Sequence, residues 1–246
     1  MSARARRGFP RLVLPLALAL AACAGAADAR DGGADPFERA NRAVLEFNLK
    51  VDRYALKPVA KAYAKLPQPV RNGVGNFFAN WWTPNTVLND LLQGKFAHAG
   101  RDAGRFAINT TLGLLGVMEV AGEIGLPARS EDFGQTLAVW GAPAGPYLVL
   151  PLLGPSNLRD AVALAPQSYA DPLAALESPQ SSYARGLRLV DRRARLLGAD
   201  DALALQVDQY LFLREGYRQQ RNAAIHDGDP PNDLGDDALC DELLQE

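Results

Sequence analysis

From residue 37 onward the apolar positions Phe37, Ala40, Val44, Phe47, Val51 and Tyr54 recur at spacings of 3, 4, 3, 4 and 3. That period predicts an α-helix with one apolar stripe. Leu45, Leu49 and Leu56 add a second stripe, so the helix is expected to be covered on two sides. Asp35 as cap, Pro36 at the first helical position and Glu38 completing a capping box mark its start. Pro58 is expected to kink it, and a shorter segment runs to Lys65, ahead of Pro67 and Pro69. Residues 70–82, VRNGVGNFFANWW, are apolar and aromatic, and Pro84-Asn85 opens a helix to Gln93. Lys95–Leu115 reads as a helix with Gly100, Gly104 and Ala107, then Gly113 and Gly116, small residues that let backbones approach closely. A short helix, Val117–Ile124, stops at Gly125. The β signal lies in Thr136–Trp140 and Tyr147–Leu153, which flank Gly141–Pro146 as the arms of an apolar hairpin. Asn157–Ala165, Ser182–Gly198 and Asp200–Ile225 complete the helical segments. The pattern is mainly α with one apolar hairpin, without repeats or strand–helix alternation.

The N-terminus has a different pattern. Arg4, Arg6, Arg7 and Arg11 precede an apolar run from Leu12 to Ala22. A bilayer span takes roughly 20 apolar residues, so this run reads as a secretory signal instead. It ends in Leu20-Ala21-Ala22-Cys23, which resembles the bacterial lipobox. That resemblance implies a signal peptide over 1–22 and a lipidated Cys23 as the first mature residue; a plain signal would leave Cys23 without a role. Each buried acyl CH₂ contributes about 0.8 kcal/mol, so two or three chains anchor a protein firmly. Ala24, rather than aspartate, follows the cysteine, which favours the outer membrane over inner-membrane retention. Residues 23–34 are small and polar, a flexible tether.

Composition changes this picture little. The 246 residues carry a formal net charge of −2, and residues 227–246 hold 8 of the 28 acidic groups and no basic one. That acidic tail reads as disordered. Residues 24–226 carry a net +2, and nothing points to nucleic acid. Cys23 and Cys240 are the two cysteines, so lipidation of one leaves the other a free thiol and no disulfide framework.

Candidate chemistry is sparse. The two histidines, His98 and His226, fall in different helices, and there is no HExxH, GxSxG, P-loop or Cys/His cluster. Asp160, Asp171 and Asp208 are scattered carboxylates. The expectation is no enzyme, no catalytic residue, no metal and no cofactor. The amphipathic signals are stronger. Arg39, Arg42, Lys50, Arg53, Lys57, Lys61 and Lys65 stud the first helical stretch. Arg185, Arg188, Arg192 and Arg195, spaced 3, 4 and 3, form a basic stripe opposite Leu187, Val190, Ala194 and Leu197. Such faces suit either an anionic lipid surface or a solvated bundle, and the lipid anchor favours the lipid. Phe77-Phe78 and Trp81-Trp82 fit a headgroup boundary or a core. No segment after the signal is apolar for long enough to span a bilayer.

Seven ordered segments, DPFERANR, LPQPVRNGVGNF, LNDLLQG, FAINTTLGLLGVMEVA, DFGQTLAVWG, GPYLVLPLLGPSNLRD and DQYLFLREGYRQQR, resemble the signatures of the VacJ/MlaA family of outer-membrane lipoproteins. They cover roughly residues 35–221 of the domain expected over 35–226. The resemblance implies a ring-like arrangement of amphipathic helices embedded in one membrane leaflet, the periplasmic leaflet of the outer membrane. It implies an amphipathic channel that takes mislocalised phospholipid from the outer leaflet to a periplasmic lipid-carrier protein, beside a trimeric porin. Asn109, Thr110 and Thr111, with Asn76 and Asn80, are then expected to line the path, and Gly141, Gly145 and Pro146 to form a mobile gate. Phe47-Asn48 matches a Phe-Asn pair of the family's N-terminal motif and is expected near the ring's inner side. The basic stripe is expected to face headgroups or the carrier. Ala40 departs from the family, which commonly has Phe there. An envelope tether or scaffold is the alternative; it needs neither the polar cluster nor a gate.

Overall fold

A computed structural model describes residues 35–230. The signal peptide, Cys23, the tether 23–34, Cys240 and the acidic tail beyond 230 lie outside the described residues.

Helix α1 (Glu38–Val51) passes into a π-helical turn, Asp52–Leu56, and then into α2 (Lys57–Tyr63), which has Pro58 in its first turn. The wider turn lies just where Pro58 withholds its N–H from the ladder, so it takes up the expected kink. The expected capping box does not form. Asp35 instead accepts from Phe37 N–H at 2.9 Å, and Glu38 reaches forward to Arg42 at 2.7 Å.

Helix α3 (Gln68–Leu92) is continuous, where the sequence predicted a new start at Pro84. Pro84 lies on the exposed side, so its ring meets no packed neighbour. Helix α4 (Phe96–Thr111) ends earlier than expected, because Leu114, Leu115 and Gly116 turn left-handed (φ 52°, 60° and 89°). A side chain at Gly116 would collide with Asn80 on α3, so this turn requires glycine both for its φ and for the close approach. Helix α5 is Val120–Glu123.

The hairpin exists, but one segment later than predicted. Residues 133–139 form helix α6, not a strand. Asp132 accepts from Gln135 N–H at 2.9 Å to cap its start. At its end Gly141 (φ 88°) donates to Ala138 O and Ala142 N–H to Leu137 O, a Schellman stop. Strand β1 (Tyr147–Leu150) therefore pairs forward with β2 (Gly154–Asn157), antiparallel, Tyr147 facing Asn157 and Leu150 facing Gly154. Asn157 caps α7 (Leu158–Tyr169). After a 3₁₀ turn at Pro172–Ala175 come α8 (Gln180–Arg195), a 3₁₀ turn at Leu197–Ala199, α9 (Asp200–Ala204) and α10 (Gln209–Ile225).

Packing runs in a closed circuit: α1 on β1, β2 on α10, α10 on α6, α6 on α3, α3 on α8, and α8 back on α2. The mainly helical chain is what the residue pattern predicted, and the ring-like arrangement is what the family resemblance implied. Arginine forks close its joints. Arg42 of α1 holds Asp208, the cap of α10, at 3.0 and 2.7 Å. Arg193 of α8 holds Asp52 at 2.7 and 2.9 Å and also reaches Asp200. Arg221 of α10 holds Asp132 at 2.6 and 2.7 Å, with Asp160 2.7 Å from its Nε. Bidentate pairs fix orientation as well as distance. A small apolar core of Leu45, Val149 and Tyr210 fills the α1–β1–α10 corner. Asp227, counted above with the acidic tail, is part of the fold: it accepts from Lys95 at 2.8 Å and Arg129 at 2.7 Å.

Candidate functional site

The seam between α3, α4 and α6 is polar. Helix α3 turns Asn80, Thr83, Thr86, Asn89 and Asp90 inward, and α4 opposes them with Asp102, Arg105 and Asn109. These spacings of three and four put the polar groups of each helix on the apposed faces. Glu131, Gln135 and Thr136 close the seam from the α6 side. Asn80 donates to Thr110 at 3.0 Å, Thr136 to Asn89 at 2.8 Å and Gln93 to Glu131 at 2.9 Å. Arg105 donates to Glu119 at 2.7 Å and to Leu126 O at 3.0 Å. Burial works against the charge on Glu119, but Gly122 N–H, Asn109 and Arg105 together hold its carboxyl below the usual range.

At the middle of the seam lies a carboxyl pair. Asp90 is fully buried, and neither of its carboxyl oxygens has a donor among the described residues. Burial, with Glu131 and Asp102 nearby, pushes its pKa up to about 7. Burial raises Asp102 and Glu131 as well. Two carboxyl groups this close hold one proton more readily than two charges.

The exterior is the reverse. Leu112, Leu114 and Leu115 are 68, 67 and 65 % exposed, and Val117, Met118 and Ile124 continue the same apolar edge. Leu152 and Leu153 at the hairpin turn and Phe96 on α4 are also exposed. No described helix is long and apolar enough to cross a membrane. Between α3 and α8 lies an apolar cavity of about 590 Å³, lined by side chains that include Phe77, Trp81, Leu173 and Leu187.

The MlaA lipoprotein family profile matches residues 33–224. The chain belongs to the MlaA lipoprotein family. Relatives named "Intermembrane phospholipid transport system lipoprotein MlaA" are 34 % identical in Escherichia coli K12, over 91 % of this chain and 92 % of theirs, and 31 % identical in Haemophilus influenzae, over 94 % of each. An uncharacterized Rickettsia felis protein is 36 % identical over 78 % of each chain. A solved structure from work called "Structural basis for maintenance of bacterial outer membrane lipid asymmetry" is similar at a TM-score of 0.70 and 33 % identity, over 78 % of this chain and all of that one.

Within this MlaA-family fold the residues singled out by sequence do not converge on one place. Asn109 is buried, but its Oδ1 accepts from Val120 and Ala121 N–H, both at 2.9 Å, and so anchors α5. Thr110 joins the α3–α4 seam through Asn80, whereas Thr111 is exposed and donates back to Ala107 O at 2.7 Å. Asn76 reaches Val117 O at 3.3 Å. Phe47 is exposed, and Asn48 grips the hairpin: it donates to Leu150 O at 2.9 Å and accepts from Leu152 N–H at 2.8 Å. Asn41, seven residues earlier and unremarked in the sequence, does the same for Tyr147 O (3.0 Å) and Val149 N–H (2.8 Å). Two asparagines thus supply the ladder bonds that the free edge of β1 lacks. Asn48→Ala is expected to cost about 1–2 kcal/mol, read by denaturant unfolding, because two backbone groups at the turn lose their partners.

The loop Gly141–Pro146 joins α6 to β1 and is not a hairpin tip. It lies against the start of α7: Leu158 N–H donates to Pro146 O and Arg159 N–H to Ala144 O, both at 3.1 Å, and Gly145 packs on Leu158. Those bonds hold the segment expected to swing. The basic stripe also divides. Arg195 is tied to Asp191 at 3.0 Å and to Arg71 O at 2.9 Å, and Arg185 pairs with Asp171 at 3.3 Å. Arg188 stacks on Trp82, its guanidinium carbon 4.4 Å from the ring centroid, while Arg192 is exposed. The stripe therefore faces α3 as much as it faces outward. Beyond Asn80, the polar face of α3 is legible as Thr83, Thr86 and Asn89 at helical spacing from it, a signal that apolar stripes do not carry.

Proposed function

We propose that this chain is an outer-membrane lipoprotein, anchored through Cys23 in the periplasmic leaflet, that moves mislocalised phospholipid out of the outer leaflet. The lipid passes to a periplasmic lipid carrier, and a trimeric porin is the neighbour in the membrane. No covalent change is made to the lipid. The observation that supports this reading is the inversion of polarity: polar groups are buried between α3, α4 and α6, while leucines along 112–115 and 152–153 are exposed. An exposed apolar edge of this size marks contact with protein or lipid. A polar seam gives a headgroup a path that hydrocarbon does not. The names of the relatives supply the cargo class.

In vesicles carrying fluorescent phospholipid, the reconstituted protein is expected to speed loss of lipid to the periplasmic carrier. Equal rates with and without the protein would contradict the proposal. Cys23→Ser is expected to leave an unprocessed precursor that is lost from the outer-membrane fraction; normal processing and fractionation would overturn the lipid anchor.

A further inference from the structure

Helix α8 crosses α3 in the opposite direction and is pinned at two points. Arg195 covers Gly75 so closely that any side chain there would displace its guanidinium. At the other point Arg188 lies on Trp82. The 590 Å³ cavity is bounded by this crossing and the 3₁₀ turn at Pro172–Ala175. Its lining carries no charged side chain. The volume falls in the ordinary range for small-molecule sites, about 300–1,000 Å³.

A cation lies beyond one end of the cavity. Ala184 and Leu187 line it, and Arg188 follows one turn beyond Ala184; Phe78 lines it, and Trp82 follows one turn beyond Phe78. The Arg188 guanidinium, stacked on Trp82, therefore lies just beyond the lining at the Trp81 end. Arg185 and Arg195 have carboxylate partners, but among the described residues Arg188 and Arg192 have none within ion-pair distance. Burial and the neighbouring Arg192 lower the Arg188 pKa to about 10, and Asp171, outside ion-pair distance, only partly offsets them.

We propose that this cavity takes one acyl chain of an anionic glycerophospholipid whose phosphate rests on Arg188 and Arg192. A hydrocarbon chain matches the uncharged lining, and a phosphate supplies a close counter-charge beyond that end. This rests on the phospholipid-transport reading and gives the cargo a place: a side pocket between α3 and α8, apart from the polar seam.

The test is photolabelling of full-length protein in detergent, using phosphatidylglycerol with a diazirine at the end of one acyl chain. Label is expected on peptides containing Phe77, Trp81 or Leu187. Ala184→Phe, which puts a ring into the cavity beside Leu187, is expected to reduce it sharply with helical circular dichroism unchanged. Leu187→Trp serves as a second filling variant if the first misfolds. Arg188→Gln and Arg192→Gln should each weaken labelling about fivefold for phosphatidylglycerol, and not for diacylglycerol with the same chain. Label confined to α4, or undiminished in both filled variants, would overturn the pocket. Transport that persists without pocket labelling sinks the pocket alone. Labelling that persists in a protein without transport activity supports the pocket and sinks the transport reading.

Discussion

Arg221→Ala is expected to destabilise the protein by about 3–5 kcal/mol, the usual cost of stripping one partner from a buried ion pair. Arg221 bridges three elements, reaching from α10 to Asp132 at the start of α6 and to Asp160 in α7. Asp160 is further held by Tyr217 at 2.6 Å and by Arg159 at 3.0 Å, so the cluster is a single unit. Burial disfavours the Asp132 charge, yet Arg221 holds its carboxyl below the usual range. Without the arginine that compensation is gone and the carboxylate remains. Gly134 fits beneath the fork, where any side chain would strike Arg221 and Asp160. Arg221→Lys should recover less than half the loss, since an ammonium cannot span both carboxylates in a planar fork. Denaturant unfolding of the two variants measures this. A loss below about 1 kcal/mol for alanine would show the joint contributes as little as an exposed pair.

The second large effect depends on pH. Asp90 in the folded chain titrates near 7, well above an unfolded aspartate at about 3.9. The folded state therefore binds the extra proton between those values, and stability falls as pH rises from about 4 to 7. Above that range the loss is complete. Asp90→Asn removes the titration while retaining the shape. It is expected to stabilise the protein by about 4 kcal/mol at pH 8 and by well under 1 kcal/mol at pH 4. Thermal unfolding at the two pH values checks it, and equal shifts at both would place the Asp90 pKa where an ordinary carboxylate has it. Asp208, held near 2 by Arg42, acts in the opposite sense, losing its stabilising charge only in stronger acid.

Most helices of the fold are legible in the apolar period of the sequence, and Asp132, Asn157 and Asp208 cap three of them as their residue types favour. The hairpin is harder to read. TLAVW and YLVLPLL both look like strands, but Asp132 and Gly141 bound the first as a helix, and GPSN, which forms β2, looks like a turn. Its partner β1 is held on the other edge by Asn41 and Asn48, more than a hundred residues away, contacts that no local pattern around GPSN reveals. The candidate site is hidden for a related reason. An apolar stripe presupposes an apolar interior, and α3 buries Asn80, Thr83, Asn85, Thr86 and Asn89 while exposing Leu88, Leu91 and Leu92. The basic stripe is visible as spacing, and so is the Asp191–Arg195 pair, four residues apart on one helix; the partner of Arg185, Asp171, is placed only by the fold.

The most direct test of the central claim is the amount of phospholipid in the outer leaflet of the outer membrane in a strain lacking this protein. The measurement would use a membrane-impermeant reagent that modifies only surface-exposed phospholipid. Outer-leaflet phospholipid should rise in the deletion strain, return to its original level with the wild-type gene and stay high with Cys23→Ser. An unchanged level in the deletion strain would contradict lipid transport and favour an envelope tether.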